Sequence, residues 1–270
     1  MRTQAHIAET PVPPQDRAKA VTARRALDFV EDGMRLGLGT GSTAAYMVRA
    51  LADMIREEGL RVSAVATSVA TAELASSVGL PITDLDGLRW LDLTIDGADE
   101  VDPNLNLIKG GGGALLREKI VATASDQMIV IADGSKSVGT LGRFPLPVEV
   151  VPFGWRTSAA LVEEMLGSLD VDGREIALRQ VGGTPFRTDA GNFILDLHLG
   201  RIGAPQQMAM ALNQIPGVVE NGLFLDMCDT LILGQSDGTI ELRDIATGRV
   251  SHERVDIGEA DNLFTDISEG

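Results

Sequence analysis

The chain has 270 residues, of which 44% are hydrophobic and 23% are charged, so it can bury the core of one large or two small globular domains. Its formal net charge of −16 argues against a nucleic-acid-binding protein, which needs a basic surface. No apolar run reaches the length of a membrane span, and the N-terminus lacks the apolar segment of a signal peptide. We therefore expect a cytoplasmic protein without nucleic-acid or membrane partners.

The cysteine and histidine content predicts neither a disulfide nor a metal site. Cys228 is the single cysteine, and its apolar neighbours indicate a buried core position. The histidines, His6, His198 and His252, are too far apart in sequence to show metal-ligand spacing. We expect no metal and no cofactor.

The N-terminal part predicts a leader, a helix and a strand. Residues 1–15 contain Pro11, Pro13 and Pro14 and are expected to form a flexible leader. Apolar residues at helical spacing predict a helix over 16–31, and a short apolar run predicts a buried strand over 34–38.

The glycine-rich segment 37–43, GLGTGST, joins this strand to a second helix and has two interpretations. Its glycines would let the backbone approach an anion, and Thr40, Ser42 and Thr43 would offer hydroxyls at the helix N-terminus. It matches neither the Walker A loop nor the dinucleotide-binding spacing. From these residues alone, a phosphate site and a tight turn with Ser and Thr caps are equally well supported.

Strands and helices alternate up to Lys136. The expected strands are 61–66, 81–85, 91–95 and 128–132. One helix is expected to end at residue 78, and another is expected over 114–125. Because these strands are apolar along most of their length, they predict a parallel sheet covered on both faces. This half resembles a Rossmann-type sheet without the cofactor fingerprint.

The stretch 91–120 carries most of the residues with chemical potential. Asp96 and Asp99 follow a strand, Lys109 precedes four glycines, and Glu118 lies early in the next helix. In α/β proteins, ligands bind where strand carboxyl ends meet glycine turns and helix N-termini. We therefore expect these carboxylates, the ammonium and free backbone N–H groups to converge on one site.

The pattern changes after Lys136, where a second unit is predicted. An extended segment covers 144–153, helices are expected over 157–169 and 205–214, and strands over 174–179, 186–188, 192–198 and 217–225. This alternation predicts a small α+β domain of ferredoxin-like kind.

The expected architecture is therefore α/β, a Rossmann-like parallel sheet domain with a second, smaller ferredoxin-like α+β domain. The first domain would comprise 16–141 and 227–245, and the second, inserted between them, 142–226. Residues 246–270 are acidic and are expected to form a surface tail.

Several blocks, in order, resemble the sequence signature of type A ribose-5-phosphate isomerases. They are GLGTGSTA at 37–44, IDGADEVDPNLNLIKGGGGALLREKIVA at 95–122, IADGSK at 131–136, FPLPVEV at 144–150, and weaker matches at 191–196 and 215–219. The resemblance covers about residues 19–242. It implies a metal-free, cofactor-free isomerase that interconverts D-ribose 5-phosphate and D-ribulose 5-phosphate in the non-oxidative pentose phosphate branch.

The resemblance also implies the site residues. Glu118 would accept the proton, with Asp96, Asp99 and Lys109 as its catalytic partners, and Lys19 would reach the phosphate from the first helix. The implied substrate contacts are Lys19, Thr40, Gly41, Ser42, Thr43, Asp96, Gly97, Ala98, Asp99, Lys109, Gly110, Gly111, Gly112 and Lys136.

Glu118 is the candidate base because a single carboxylate can serve both proton transfers through a cis-enediol. Its helical neighbours Ala114 and Ala122 are small and apolar, so desolvation would raise its pKa, whereas the helix N-terminus would lower it. The residues alone also allow an acid of the first helical turn, or an ion pair with Arg117 or Lys119.

The other candidates carry similar alternatives. Lys109 and the glycine N–H groups could stabilise an enediolate oxygen. Asp96 and Asp99 could hold sugar hydroxyls or move a proton during ring opening; the alternative, strongest for Asp99, is an Asx-turn pair that ends a strand.

Three other functions fit parts of the pattern. An aminosugar-phosphate deaminase of the same fold would use a ring-opening histidine, and none lies near the motifs. A coenzyme A transferase would form a thioester on its glutamate. A sugar-phosphate-sensing regulator would need a DNA-binding module, for which the leader is too short.

We expect a homo-oligomer, a dimer or tetramer, that uses the second domain. The apolar segments 193–199 and 223–225 motivate this expectation because a small domain can hardly bury them alone.

Overall fold

The structure, a computed structural model, describes residues 13–254. The expected leader therefore lies outside the described residues except at its end, where Pro14 and Gln15 already belong to the first helix. Of the expected tail, residues 255–270 lie outside the described part.

Seven α-helices form within the described residues. They are α1 (Pro14–Leu27), α2 (Ser42–Glu58), α3 (Val69–Ser77), α4 (Leu85–Leu88), α5 (Leu115–Thr123), α6 (Trp155–Leu166) and α7 (Pro205–Leu212). A 3-10 helix covers Gly134–Lys136.

Sixteen strands form in the same part of the chain. They are β1 (Arg35–Leu38), β2 (Ser63–Ala66), β3 (Leu93–Gly97), β4 (Glu100–Val101), β5 (Leu107–Ile108), β6 (Met128–Asp133), β7 (Leu146–Val150), β8 (Glu175–Leu178), β9 (Gln180–Val181), β10 (Thr184–Pro185), β11 (Phe193–His198), β12 (Val218–Asn221), β13 (Leu223–Phe224), β14 (Thr230–Gly234), β15 (Thr239–Asp244) and β16 (Val250–Arg254).

A seven-stranded sheet in the order β16-β15-β14-β6-β3-β1-β2 forms the first domain, and its strands from β14 to β2 are parallel. Strand β6 shows why its sequence is apolar throughout. Ile129 and Ile131 pack in the core formed with α1 and α2, whereas Met128 and Val130 pack in a second core with α5 on the opposite face. The predicted Rossmann-like parallel sheet is confirmed.

The second domain is a four-stranded antiparallel sheet in the order β12-β7-β11-β8. Helix α6 connects β7 to β8, and α7 connects β11 to β12, which is the ferredoxin-like arrangement. Leu146, Val148 and Val150 of β7 pack in one core with Val162 of α6 and Met208 of α7. The predicted ferredoxin-like domain is confirmed.

We propose domain boundaries near 141 and 226, because the strands of the second sheet all lie between them. The chain enters the second domain beside Glu100, which is 1% exposed. Its carboxylate accepts hydrogen bonds from the N–H groups of Gly142 and Phe144, both at 2.7 Å. Glu100 therefore holds the segment where the chain passes from the first domain into the second.

Two predicted strands are wrong. In 81–85, only Ile82 makes a bridge, to Ala64, and Leu85 already begins α4. Pro81 lacks the N–H that a longer ladder would need. In 186–188 no strand forms, because the hairpin pairs β9 with β10 and ends at Pro185.

The prediction of a surface tail over 246–270 is wrong at its start, because β16 lies within this segment. Together with β15, which the sequence analysis missed, β16 adds two antiparallel strands to the edge of the large sheet. Arg25 of α1 donates a hydrogen bond to Glu253 at 2.8 Å and ties β16 to the domain.

The argument for a homo-oligomer, that a small domain can hardly bury the segments 193–199 and 223–225 alone, is also wrong. The apolar side chains of β11 and β13 are buried within this chain, with Ile194, Leu195, Leu197 and Phe224 at 0% and Leu223 at 2% exposure. The fold thus covers these segments itself.

Cys228 is buried, as predicted, at 4% exposure, and burial raises the pKa of its thiol to about 12. Within residues 13–254, the helices are too short or too polar for any of them to cross a membrane.

Candidate active site

The carboxyl ends of β1, β3 and β6 lie side by side and bring three segments of the sequence together. Gly39 to Thr43 follow β1, Ala98 and Asp99 follow β3, and the 3-10 helix follows β6. A cavity of about 220 Å³ lies where these segments meet the glycine loop and α5. Its lining residues are Gln15, Lys19, Thr40, Gly41, Ser42, Thr43, Gly97, Ala98, Asp99, Lys109, Gly110, Gly111, Gly112, Glu118, Asp133, Ser135 and Lys136.

Three of the four predicted catalytic residues form a buried charged cluster at one end of this cavity: Lys109 and Glu118 line the cavity, and Asp96 lies behind them. The ammonium of Lys109 lies 3.0 Å from Asp96 Oδ2 and 3.3 Å from Glu118 Oε1, and it donates to the carbonyl oxygen of Gly97 at 2.5 Å. The exposed fractions are 0% for Asp96, 2% for Lys109 and 4% for Glu118. The ring of Phe224 covers the ammonium, with its centroid 5.4 Å away.

Burial is the main influence on the pKa of Glu118 and raises it to about 8; Asp96 adds to the rise, and Lys109 opposes it. Its Oε2 has no hydrogen-bond partner among the described residues. Burial also raises the pKa of Asp96, against the effects of Lys109 and two backbone N–H groups. Burial disfavours the charged form of Lys109, but the two carboxylates outweigh it and raise its pKa. The cluster therefore combines a lysine that stays protonated with a glutamate that can exchange a proton near neutral pH.

Asp96 is held in place from the glycine-rich segment. Its Oδ1 accepts hydrogen bonds from the N–H groups of Thr40 at 3.1 Å and Gly97 at 2.7 Å. Gly39 permits this approach, because a Cβ there would lie 2.1 Å from Asp96 Oδ1. The segment thus helps to position the charged cluster and also lines the cavity.

Asp99 and the glycine loop, residues 110–113, form the wall of the cavity next to the cluster. The N–H of Gly111 donates to Asp99 Oδ2 at 2.7 Å. The loop needs glycine at Gly110 and Gly113, whose φ angles are +105° and +81°. The N–H of Gly112 has no partner among the described residues, and Gly112 lines the cavity, so this N–H is available to a ligand oxygen.

The other end of the cavity is suited to a phosphate. Helix α2 begins at Ser42 without a side-chain cap, so its first N–H groups are open to an anion. Ser42 and Thr43 add hydroxyls, and Lys19 and Lys136 line the same cavity. Lys19 is 3.2 Å from Asp16 Oδ1, which holds it at this end of α1.

The hydroxyl of Thr40 is used differently from the expectation. It lies 2.7 Å from the hydroxyl of Thr67, 2.8 Å from that of Ser68 and 3.2 Å from that of Thr71. Since a hydroxyl has one donor and two acceptor positions, these contacts leave it little capacity for a ligand. Thr40 therefore contributes structure to the site, whereas Ser42 and Thr43 line the cavity with hydroxyls that have no partner within residues 13–254.

Several residues near the cavity were missed in the sequence analysis. Asp133 is the last residue of β6 and Ser135 follows it closely, and that position was a usable signal. Gln15 was assigned to the leader, yet it lies in the first turn of α1. Arg179 comes from the second domain and contacts the glycine loop; no local pattern pointed to it.

Comparison with known proteins identifies the family. The sequence model of ribose 5-phosphate isomerase A, also called phosphoriboisomerase A, matches residues 63–238. The chain belongs to the ribose 5-phosphate isomerase A family. It is 66% identical to the ribose-5-phosphate isomerase A of Jannaschia sp. over 256 residues, which cover 95% of this chain and 98% of the relative. For the relative from Ruegeria pomeroyi the identity is 65%, with the same coverage.

Solved structures agree with this assignment. The ribose 5-phosphate isomerase A of Methanocaldococcus jannaschii superposes with a TM-score of 0.75 at 38% identity, covering 88% of this chain and 98% of that one. A D-ribose-5-phosphate isomerase solved in complex with phospho-erythronic acid gives a TM-score of 0.77, also at 38% identity, with 90% and 100% covered. The predicted family, the fold class and an isomerase as the enzyme class are confirmed.

Proposed function

We propose that this isomerase interconverts D-ribose 5-phosphate and D-ribulose 5-phosphate through a cis-enediolate, with Glu118 as the base. The observation that supports this proposal is the position of Glu118. Its buried carboxylate, whose pKa is raised, lies beside Lys109 in a cavity whose other end suits a phosphate. The activity belongs to the non-oxidative branch of the pentose phosphate pathway, in the cytoplasm.

The phosphate binds at the start of α2, between Lys19, Lys136 and the hydroxyls of Ser42 and Thr43. The ammonium groups of Lys19 and Lys136 and the first N–H groups of α2 supply the positive charge that a dianionic group requires, beside the carboxylates of Asp16 and Asp133. The open-chain sugar then extends towards the charged cluster, with C1 and C2 beside Glu118. Gly97, Ala98 and Asp99 contact its hydroxyls from the end of β3.

Glu118 performs both proton transfers. It takes the proton from C2 of the aldose, the electrons of that C–H bond form the C1–C2 double bond, and negative charge moves onto O1. Return of the proton to C1, with transfer of the O2 proton to O1, completes the ketose. One carboxylate can serve both carbons because it lies over one face of the planar cis-enediolate, where the proton leaves C2 and returns to C1.

Lys109 and the glycine loop stabilise the charge that develops on oxygen. The ammonium is fixed by Asp96, Glu118 and the carbonyl of Gly97, so it needs no reorganisation during the reaction. The free N–H of Gly112 supplies a second donor, and Asp99 assists proton movement between the oxygens or during ring opening.

The activity should rise with pH and level off above about 8. Glu118 accepts a proton only when ionised, and burial raises its pKa to about 8, so lower pH leaves it protonated and inactive. The measurement is kcat/KM against pH. An acidic limb near pH 4–5, the ordinary range of a glutamate, would contradict the assignment of Glu118 as a buried base.

Activity should survive exhaustive chelation. Among residues 13–254 no group of three or more His, Cys, Asp or Glu side chains could hold a metal ion. Turnover after dialysis against EDTA should therefore equal that of untreated protein. A loss that a divalent ion restores would show that a metal takes part.

We also propose that the chain assembles as a dimer or tetramer through the second domain. Phe153, Leu161 and Met210 lie on that domain, and their exposed fractions are 94%, 37% and 65%. These are apolar side chains of the second domain that such an assembly would cover. Light scattering at micromolar concentration should report at least a dimer, and a monomer there would disprove the assembly.

One experiment tests the proposed function directly. Proton NMR of the protein with ribose 5-phosphate, ribose or glucosamine 6-phosphate should show conversion of the first compound only. Deamination of glucosamine 6-phosphate would favour a deaminase. A mass shift of the protein with an acyl-CoA would favour a transferase, and binding of ribose 5-phosphate without conversion would favour a regulator.

A further inference from the structure

We propose that Arg179 of the second domain is a positioning residue that holds the glycine loop, residues 110–113, in its catalytic conformation. Arg179 immediately follows β8 and reaches across to the first domain. Its Nη1 donates to the carbonyl oxygens of Gly110 at 2.8 Å and Gly111 at 3.1 Å. This inference rests on the proposed function, since the loop supplies donors for that reaction.

The other edge of the guanidinium is fixed by Asp196 of β11. Nε donates to Asp196 Oδ2 at 2.9 Å, and Nη2 donates to Asp196 Oδ1. The side chains of both residues are largely buried, with exposed fractions of 15% for Arg179 and 17% for Asp196. The guanidinium is thus anchored on the rigid four-stranded sheet before it contacts the loop.

Holding two carbonyls determines where the next two N–H groups point. In a trans peptide the C=O and the following N–H point in opposite directions. With the carbonyls of Gly110 and Gly111 directed at Arg179, the N–H groups of Gly111 and Gly112 are directed away from it. The first donates to Asp99 at 2.7 Å, and the second belongs to a residue that lines the cavity.

The loop needs such an external hold because it has no side chains of its own. Glycine loses more conformational freedom on ordering than any other residue, so four in succession do not keep a single geometry unaided. The second domain supplies a further constraint at Gly113, where a Cβ would lie 2.4 Å from Phe186 Cε1. The loop is therefore shaped from outside its own domain.

An arginine suits this position better than a lysine. The planar guanidinium presents several donors in a fixed geometry, so it can bind a carboxylate with one edge and two carbonyls with another. An ammonium could reach one of these partners but could not orient both peptide planes. Arg179 does not line the cavity, so it acts through the loop and not on the substrate.

The test compares Arg179→Ala and Arg179→Lys with Asp189→Asn. Asp189 also joins the two domains, since its carboxylate accepts from the N–H of Val69 at 2.8 Å and lies 3.6 Å from Arg117, but its partners do not include the glycine loop. We expect kcat to fall about 10²-fold in Arg179→Ala, the size of effect reported for small misplacements of catalytic groups, with a smaller change in KM. Arg179→Lys should be intermediate, and Asp189→Asn should stay close to wild type.

Two further readouts separate positioning from general stability. Millimolar guanidinium should restore part of the kcat of Arg179→Ala, because it can occupy the vacated space beside Asp196. Amide hydrogen exchange in the peptide containing residues 110–113 should become faster in Arg179→Ala and not in Asp189→Asn. Exchange does not depend on the reaction, so it tests the hold on the loop even if the wild-type protein fails to convert ribose 5-phosphate.

The inference is overturned by any of three results. They are an unchanged kcat in Arg179→Ala alongside an active wild type, an equal loss in Asp189→Asn, or unchanged exchange of the loop amides. An inactive wild type with faster loop exchange in Arg179→Ala would reject the proposed function and keep the structural role of Arg179.

Discussion

Replacing Glu118 with glutamine should abolish isomerisation and leave substrate binding largely intact. Glutamine keeps the size and the hydrogen-bonding reach of the side chain but cannot accept the C2 proton. The phosphate end of the cavity, formed by the start of α2 with Lys19 and Lys136, is unchanged by this substitution. Loss of a positioned base costs on the order of 10² to 10⁴ in rate, and a base used for both transfers should lie at the upper end.

The measurement pairs calorimetric binding with exchange of the C2 proton into deuterated water. Glu149→Gln is the matched control, because Glu149 is also fully buried, has an oxygen without a hydrogen-bond partner among the described residues, and has a pKa raised by burial. It lies on β7 of the second domain and does not line the cavity. The control should keep its activity.

The outcome assigns the base. Exchange of the C2 proton at nearly the wild-type rate in Glu118→Gln would show that Glu118 does not remove it. Asp96 or Asp99 would then be the base. Equal losses in Glu118→Gln and Glu149→Gln would show that the effect comes from altering a buried carboxyl in general.

Replacing Lys109 with alanine should reduce activity and stability together. The ammonium contacts two carboxylates that are 0% and 4% exposed, so its removal leaves them without a cation. Breaking a buried ion pair by removing one partner costs about 3–5 kcal/mol of unfolding free energy. Substrate binding and turnover should weaken together, because the charge acts on the bound sugar and on the enediolate.

The loss of stability should grow with pH. Without Lys109, the pKa values of Asp96 and Glu118 rise further, because the cation that favours their charged forms is gone. A carboxyl whose pKa is higher in the folded state stabilises the fold when protonated and destabilises it as pH rises through that pKa. The unfolding free energy of Lys109→Ala should therefore be closest to that of the wild type at low pH, and the difference should grow as pH rises.

Chemical denaturation of Lys109→Ala at several pH values measures this trend. Lys119→Ala is the control, since Lys119 also lies near the ring of Phe224, at 4.8 Å, but it pairs with Glu220 at 2.7 Å outside the cavity. A stability loss in Lys109→Ala that is independent of pH would contradict the proposed coupling with the two carboxylates. The double variant Lys109→Ala with Glu118→Gln should lose less unfolding free energy than the two single variants lose together.

Local sequence patterns were sufficient for most of the fold and for the position of the site. Strand β6 was predictable because both its faces are covered and its residues are therefore apolar throughout. The segments 37–43 and 91–120 were predictable as site elements because strand, glycine turn and helix start follow one another directly in the chain. The strands β15 and β16 were missed because Ile240 and Leu242 are the only apolar residues of β15 and Val250 is the only one of β16, so neither strand has a continuous apolar run.

By itself, the sequence determined the family, the two-domain α/β plan and the cavity lining except Gln15, Asp133 and Ser135, because each of these depends on short contiguous motifs. Only the tertiary structure determined which of those residues are buried together and how their pKa values shift. The sequence left open whether burial or the helix N-terminus controls the pKa of Glu118; the packing of α5 against β3 and the glycine loop buries the carboxylate and raises its pKa. Arg179 contacts a loop 68 residues away along the chain. Contacts between segments so distant in sequence depend on how the domains pack, and no local pattern specifies that.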